Sequence, residues 1–382
     1  MASAKILCCL LVIVCIFLHS TEGRNSKVSQ KKFHESQSIK TIKTKYGDTY
    51  DCVDFYEQPA FKHPQLKNHK FYPEMRPKFL PNFTIARNDF ERSIFYTLEN
   101  GGCPRGTVPI RILSKDDRSQ EATFSKTHIH NNLANGQIAP PGTHFAISQT
   151  KSSPGAPPNY YGVGAEFSVW NPQVKENQYS AARLTIQNGP DSLQVGWMVN
   201  PTLYKDTRTH MFIHTNAGES HCYNTYCSGF VLVRSDFPPD VTMIYYSKSG
   251  ENPVTANFII HRDPPSSAWW LLTTHDLTPI GFWPDNIFQT LNKFGTYISC
   301  GGETYSPPDQ PGGYPPMGSG EYPIDIFERS AFAIHFETVD DKLKVIKVDG
   351  TENFMDTKKY SVHDVGILNP QGHVVFFGGY GG

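Results

Sequence analysis

Two polar residues lie in strand-like segments where no bulky neighbour covers them. In SLQVGWMVNP, residues 192–201, large apolar residues alternate with smaller or polar ones, and Gln194 shares its face with a glycine. In TYISCGGETYS, residues 296–306, Glu303 follows two glycines, which inside a strand mark a bulge or a close backbone approach. Either residue alone is more typical of a solvated strand face. Chemistry on this chain would therefore depend on a carboxylate, which can accept a proton, and an amide, which can donate hydrogen bonds.

The other signatures of enzyme chemistry are missing or incomplete. The sequence has no G-x-S-x-G, H-E-x-x-H or P-loop motif, and Ser319 lies between glycines without a strand-turn-helix pattern. His210 and His214 share a strand face, but no third ligand is evident, so we predict no metal site. Cys300 has no histidine near it in the sequence, which disfavours a thiol nucleophile. We therefore predict neither a metal nor another cofactor.

Residues 1–23 are typical of a secretory signal peptide. Lys5 precedes an apolar run, residues 6–18, that is too short to span a bilayer, and Thr21 and Gly23 are small residues suited to cleavage. No second long apolar run follows, so we predict a secreted protein without a membrane anchor, in the extracellular space, the cell wall or the vacuole. The net charge of −1, with no long basic run, argues against binding to nucleic acid.

Five of the eight cysteines follow the predicted signal peptide. An oxidising compartment favours disulfide bonds. We predict one bond between Cys222 and Cys227, which flank a short loop, and a second between Cys52 and Cys103. Cys300 is then left over, either as a buried small residue or as a free thiol.

The first part of the mature chain, residues 24–141, is mixed in composition and rich in proline. Its start, to about residue 45, is polar and lysine-rich, which predicts disorder. Its end belongs to a polar stretch, residues 114–143, which we predict to be an exposed linker. Asn82 begins an N-x-T sequon and is a predicted glycosylation site. This part is predicted to form a small mixed domain.

The remaining residues, 142–382, contain all five tryptophans and many short alternating segments separated by Gly, Pro, Asn and Asp. This pattern predicts an all-β fold, an antiparallel two-sheet β-sandwich. One helix is predicted, over residues 284–295, because Pro and Asp stand at its start and Gly just past its end. The proline-rich residues 306–316 follow Glu303 directly, and form either a flap over a cleft or an ordinary surface loop.

Several segments resemble, in the same order, motifs of the plant neprosin family of secreted glutamic peptidases. CPRGTVPIRI and the segment from KTIKTKYGD onward resemble the family's activation propeptide, whereas LQVGWMVNPTLYKD, CYNTYCSGFV, IGFWP, CGGETY and MGSG resemble its peptidase domain. The resemblance implies that residues 24–141 are an activation propeptide and linker, removed by cleavage within residues 135–144, and that residues 142–382 are the peptidase domain. It implies a monomer that acts at acid pH on peptide or protein substrates, cleaves near proline, and is inhibited by its own propeptide.

The resemblance also assigns the site residues. Glu303 matches the second family glutamate, in the GGE motif, but Gln194 stands where the first glutamate of an I-E-x-G-W motif belongs. A separate glutamic-peptidase family of fungi uses a glutamine and glutamate pair, so the resemblance implies Glu303 as general base and Gln194 as oxyanion stabiliser. Trp197 and Tyr305 are predicted to contact the substrate.

A catalytically inactive β-sandwich that binds cell-wall glycans or proteins is the alternative. Two features favour it. One is the departure at Gln194, because an amide cannot give up a proton as an acid. The other is the number of tyrosines and tryptophans, 19 and 5, since aromatic faces suit stacking on sugars.

Overall fold

The computed structural model describes residues 38–85, 94–127, 140–151, 158–218, 220–273, 278–308 and 313–382. The predicted signal peptide and the first half of the predicted maturation segment, residues 135–139, lie outside these residues. The described residues form nineteen β-strands: β1 (Lys40–Lys43), β2 (Thr49–Asp54), β3 (Thr107–Arg111), β4 (Thr143–Thr150), β5 (Gly162–Ser168), β6 (Tyr179–Asn188), β7 (Asp191–Val199), β8 (Thr209–Ala217), β9 (Ser220–Tyr223), β10 (Val231–Leu232), β11 (Thr255–Asp263), β12 (Ala268–Thr273), β13 (Thr278–Pro284), β14 (Tyr297–Tyr305), β15 (Ala331–Val339), β16 (Val345–Lys347), β17 (Thr351–Met355), β18 (Ser361–Leu368) and β19 (Gly372–Gly378).

Helical structure is short in the described part of the chain. There are two α-helices, α1 (Lys115–Thr127) and α2 (Pro201–Tyr204), and neither is long and apolar enough to cross a membrane. Six 3₁₀ turns complete the described elements, at Phe55–Glu57, Pro59–Lys62, Pro64–Leu66, Glu99–Gly101, Pro264–Ser266 and Asp285–Ile287.

Strands β1, β2 and β3 form a three-stranded sheet in the first part of the chain. Strand β1 lies within the segment predicted to be disordered, so that prediction is wrong for the residues of β1. The predicted disulfide Cys52–Cys103 is present and ties β2 to the segment before β3. Together with α1, this sheet makes the first part of the chain mixed in structure. The boundary at residues 141 and 142 stays a prediction, because residues Ser38–Gly382 form one compact unit.

The predicted antiparallel β-sandwich is confirmed. Its two sheets contain nine and seven strands, in the orders β10-β13-β12-β11-β5-β15-β19-β18, with β16 beside β15, and β17-β4-β14-β6-β7-β8-β9. Strand β7 shows the expected alternation, with Leu193, Val195 and Trp197 in the core between the sheets. The indole of Trp197 donates to the carbonyl of Ser168 in the opposite sheet at 2.9 Å. Gln194 therefore lies on the outer face of the seven-stranded sheet.

The helix predicted over residues 284–295 is wrong. Only the 3₁₀ turn Asp285–Ile287 forms there. The buried carboxylate of Asp191, at the start of β7, accepts hydrogen bonds from the backbone N–H groups of Gln289, Thr290 and Leu291. Because this distant acceptor satisfies three backbone donors, the segment does not need helical hydrogen bonds.

Helix α1 lies in the stretch that was predicted to be an exposed linker. Its start is a capping box: the Ser114 hydroxyl accepts from the Asp117 N–H at 3.1 Å, and the Asp117 carboxylate accepts from the Ser114 N–H at 3.3 Å. The motif S-x-x-D is visible in the sequence and was missed because the residues after it are largely polar.

His373 of β19 and Asp364 of β18 form a charge pair at the edge of the nine-stranded sheet. The imidazole Nε2 lies 2.8 Å from Asp364, and Nδ1 lies 2.7 Å from the Val348 carbonyl. Burial lowers the pKa of His373, but these two hydrogen bonds outweigh it and the pKa is raised. Burial raises the pKa of Asp364, but hydrogen bonds from His373, Ser148 and Thr351 outweigh it and hold the pKa well below its usual value.

We expect this pair to make the fold most stable in weak acid. The stabilisation from His373 is complete below its unfolded pKa and is lost as pH rises through the raised folded pKa. The stabilisation from Asp364 is complete above its unfolded pKa and is lost as pH falls through the lowered folded pKa. Both are complete between about pH 4 and 6.5. The substitution His373→Gln is expected to lower the unfolding free energy by about 1–3 kcal/mol within that window.

Thermal unfolding of the full chain across pH 4 to 8 measures this effect. The matched control is His363→Gln, because His363 pairs with Asp325 at the exposed surface. We expect the control to keep the wild-type pH dependence. Equal pH dependence in all three proteins would contradict a role for the Asp364–His373 pair.

Candidate active site

Glu303 lies on β14, a central strand of the seven-stranded sheet, between β4 and β6. The two glycines before it allow close packing. A Cβ on Gly301, whose φ is 142°, would meet the Ala146 carbonyl at 2.4 Å, and a Cβ on Gly302 would meet the Met317 sulfur at 2.4 Å. The glycine pair therefore marks a close approach, one of the two outcomes that glycines in a strand predict.

The carboxylate of Glu303 is buried and held from two sides. The Tyr179 hydroxyl donates to Oε1 at 2.5 Å, and Arg183 Nε lies 3.0 Å from Oε2. Burial, and then the charge of Glu303, raise the pKa of Tyr179 well above its usual value, so the phenol stays protonated and remains a donor. A neighbouring guanidinium stabilises the charged form of a carboxylate, which is the form that can accept a proton.

Gln194 lies on the same face of the same sheet, and β6 separates its strand from that of Glu303. It is opposite Thr185 of β6, which is opposite Ser299 of β14, four residues before Glu303. On a flat sheet this arrangement separates the two Cα atoms by about 10 Å across the strands and about 13 Å along them. Both side chains extend from the same face, so their polar groups border the same space above β6.

Arg183 of β6 lies between the two predicted catalytic residues. In the sheet it is flanked by Gly196 of β7 and Gly301 of β14. Its side chain is fully buried, and its guanidinium carbon lies 4.6 Å from the centre of the Phe145 ring. This residue was not predicted from the sequence. Its signal is that it is the one charged residue in the strand-like run SAARLTI, residues 180–186.

An aromatic cluster covers the Glu303 end of this face. Tyr305, predicted to contact substrate, is partly exposed and stacks on Tyr179 with ring centres 5.6 Å apart. From α1, the buried side chain of Phe124 contacts Tyr179 and Tyr223, with ring centres 5.7 and 5.2 Å apart. A segment that precedes the sandwich in the chain thus packs beside the partner of Glu303.

The other predicted site residues lie elsewhere. Trp197 is fully buried between the two sheets, so the predicted substrate contact does not fit its position. Cys300 also faces the core as a free, buried cysteine, and burial raises the pKa of its thiol well above the usual value, which makes a thiolate nucleophile unfavourable. The predicted disulfide Cys222–Cys227 is present. Asn82 is exposed, and its glycosylation stays a prediction.

The described residues contain no group of three or more His, Cys, Asp or Glu side chains arranged to hold a metal ion. His210 and His214 have separate surroundings: His210 lies 3.0 Å from Asp206 and stacks on Tyr204, whereas His214 contacts Tyr223. The chemistry that the described face supports rests on a carboxylate, an amide and a guanidinium.

Comparison with known proteins agrees with the motifs. The Neprosin family model matches residues 176–380, and the model of the Neprosin activation peptide matches residues 41–149. Among solved structures, Scytalido-glutamic peptidase with a peptide-based transition state analog is similar at 10% identity and a TM-score of 0.31, over 63% of this chain and 98% of that one. A second structure of that peptidase, with a transition state analog inhibitor, gives 10% identity and a TM-score of 0.32, over 62% and 97%. The matches to the two family models cover most of the chain, and the protein belongs to the neprosin family, with that family's activation peptide ahead of its neprosin domain.

Proposed function

We propose that this protein is a secreted endopeptidase, made as a zymogen, that hydrolyses peptide bonds near proline at acid pH. Glu303 is its general base and Gln194 stabilises the oxyanion. The observation that carries the proposal is the buried carboxylate of Glu303, oriented by Tyr179 and Arg183 on the sheet face that also presents Gln194. The disulfide bonds fit an oxidising, secretory compartment.

The proposed reaction needs one group that moves protons. Glu303 accepts a proton from water as the water oxygen attacks the scissile carbonyl carbon. The resulting oxyanion accepts a hydrogen bond from the Gln194 amide, which keeps its own protons. Glu303 then gives the proton to the leaving nitrogen as the C–N bond breaks, and the carboxylate is restored. The Tyr179 hydroxyl holds the carboxylate in one orientation throughout.

The first part of the chain has the contacts expected of a bound inhibitory propeptide. Arg111 of β3 lies 3.6 Å from the buried Asp240 of the neprosin domain, and the Tyr50 hydroxyl donates to Asp240 at 3.3 Å. The Gln58 side chain accepts from the Leu232 N–H at 2.8 Å and donates to the Leu232 carbonyl at 3.3 Å. These buried contacts fix the segment that leads to Phe124 on the aromatic end of the face.

We expect Phe124→Ala to weaken this inhibition. Loss of a buried aromatic ring removes several kcal/mol of packing, part of which holds α1 against the sheet. The intact full-length variant should hydrolyse a fluorogenic peptide about 10-fold faster than the intact wild type. The control is Thr123→Ala, on the same helix but with an exposed side chain. Equal rates for Phe124→Ala and the wild type would show that Phe124 does not block the site.

The tryptophans do not support the glycan-binding alternative, whereas several tyrosines, among them Tyr72 and Tyr380, are exposed. All five tryptophans are buried, four of them completely, so none offers an exposed face for a sugar ring. The departure at Gln194 remains compatible with it. Retention of the protein on a glycan matrix, together with no hydrolysis at any pH, would favour this alternative over the peptidase.

The test of the proposed function is an activity assay of the purified full-length chain. The protein is incubated at pH 3 to 7, and removal of the first part of the chain is followed by mass spectrometry. Proline-containing peptides and matched peptides with alanine in place of proline are then added. We expect removal of the first part of the chain to be fastest in acid, and the released domain to hydrolyse the proline peptides faster than the alanine peptides. No hydrolysis of any peptide, after the propeptide has been removed, would refute the proposal.

A further inference from the structure

The guanidinium of Arg183 is buried, yet its donors are unused. None of its three nitrogens has a hydrogen-bond partner within the described part of the chain. Nε lies 3.0 Å from Glu303 but is not aligned with it for a hydrogen bond, so the contact is an ion pair only. An arginine carries five N–H donors, and leaving them unpaired inside a protein is unfavourable. Buried donors of this kind call for a ligand or bound solvent.

The surroundings of Arg183 leave its two terminal nitrogens available to such a ligand. The residues directly opposite it on both adjacent strands are glycines, Gly196 and Gly301, so no side chain at these two positions can accept from it. Phe145 of β4 offers only a ring face, which attracts the charge but accepts no ordinary hydrogen bond. The ion pair with Glu303 is closest at Nε, and neither terminal nitrogen donates a hydrogen bond within the described part of the chain.

We propose that Arg183 is a further catalytic residue, whose terminal nitrogens bind the oxygen of the scissile carbonyl and stabilise the tetrahedral oxyanion. The inference rests on the proposed function. An arginine stays protonated at all working pH values, so it can take the stabilising role but not the role of an acid. Position 194 carries an amide, so no protonated carboxyl is present there to stabilise the oxyanion. The fixed positive charge of Arg183 supplies this stabilisation.

In this reaction Glu303 is the one side chain that gains and loses a proton. The water oxygen forms a bond to the carbonyl carbon, the water proton moves to Glu303, and the π electrons move to the carbonyl oxygen. The guanidinium donates two hydrogen bonds to that oxygen and keeps its protons. When the C–N bond breaks, the carbonyl reforms and the proton moves from Glu303 to the leaving nitrogen.

The test compares affinity for a tetrahedral anion with affinity for a flat peptide. A phosphinic peptide imitates the oxyanion, and an N-methylated peptide of the same sequence imitates the substrate. In the acid-activated chain, Arg183→Gln should weaken binding of the phosphinic peptide about 10²–10³-fold and binding of the N-methylated peptide by less than about 3-fold. The kcat for a cleavable peptide should fall by the same factor as the phosphinic affinity, with KM nearly unchanged.

A purely structural arginine would change the two affinities equally, and that result would overturn the inference. Thermal unfolding establishes whether Arg183→Gln is folded. If it is not, Arg183→Lys decides the matter, because it keeps the charge but not the two parallel donors. We expect a loss of about 10-fold for the phosphinic peptide alone, and an unchanged ratio would refute the role of Arg183. Absence of hydrolysis by the wild type would instead refute the proposed function.

Discussion

Replacing Glu303 with glutamine is expected to reduce kcat of the acid-activated chain at least about 10³-fold. Glutamine keeps the size of the side chain but cannot accept a proton from water, and general base catalysis alone contributes about 10²–10⁴ in rate. The substitution also removes the negative charge that faces Arg183 at 3.0 Å, which leaves a buried cation without its counter-ion. The chemical step and the electrostatic balance of the site are therefore lost together.

The measurement is the rate of cleavage of a proline-containing peptide by equal amounts of folded protein. Glu251→Gln is the matched control, since its side chain is 64% exposed and forms a surface ion pair with Lys248 at 3.8 Å. We expect this control to retain full activity. Near-ultraviolet circular dichroism distinguishes an inactive but folded Glu303→Gln from an unfolded one. A folded variant with more than one tenth of the wild-type rate would exclude Glu303 as the base.

The features of the site that the sequence predicted are local ones. Alternation within residues 192–201 identifies the outer face of β7, and the glycines before Glu303 identify a strand that packs closely on its neighbours. Short separation likewise predicts the bond between Cys222 and Cys227. Each of these predictions depends on a few neighbouring residues, whose side chains alternate across a strand whatever the rest of the chain does.

The features that the sequence did not predict depend on distant pairing. Strand β6 lies between β14 and β7, and only this order places Arg183 beside Glu303, 120 residues later in the chain. The prediction of a helix over residues 284–295 is wrong for the same reason. The Asp191 carboxylate, about 100 residues earlier in the chain, accepts hydrogen bonds from the backbone N–H groups of residues 289–291. The register between strands is set by the whole sheet, so the pattern of residues along one sequence does not reveal it.

The second large effect on activity is expected from substitutions of Gln194. Removal of its amide by Gln194→Ala is expected to lower kcat about 10²–10³-fold, the usual cost of one oxyanion donor. Gln194→Glu introduces an acid at this position and should add a second ionisation to the rate profile. With Gln194 the acid limb reports Glu303 alone, whereas a glutamate at position 194 must be protonated to donate, so activity falls again as pH rises.

The profile of kcat/KM from pH 2 to 8 separates these outcomes. The wild type should show a single acid limb and a plateau, and Gln194→Glu should show a narrower bell with a new basic limb. Gln187→Glu is a suitable control, because Gln187 of β6 lies on the same sheet face as Gln194 but at the end of its strand away from Glu303, opposite Ser192. An unchanged profile in Gln194→Glu, with full activity in Gln194→Ala, would place position 194 outside the reacting centre. The oxyanion would then depend on Arg183 alone, and loss of activity in Arg183→Gln should be correspondingly more complete.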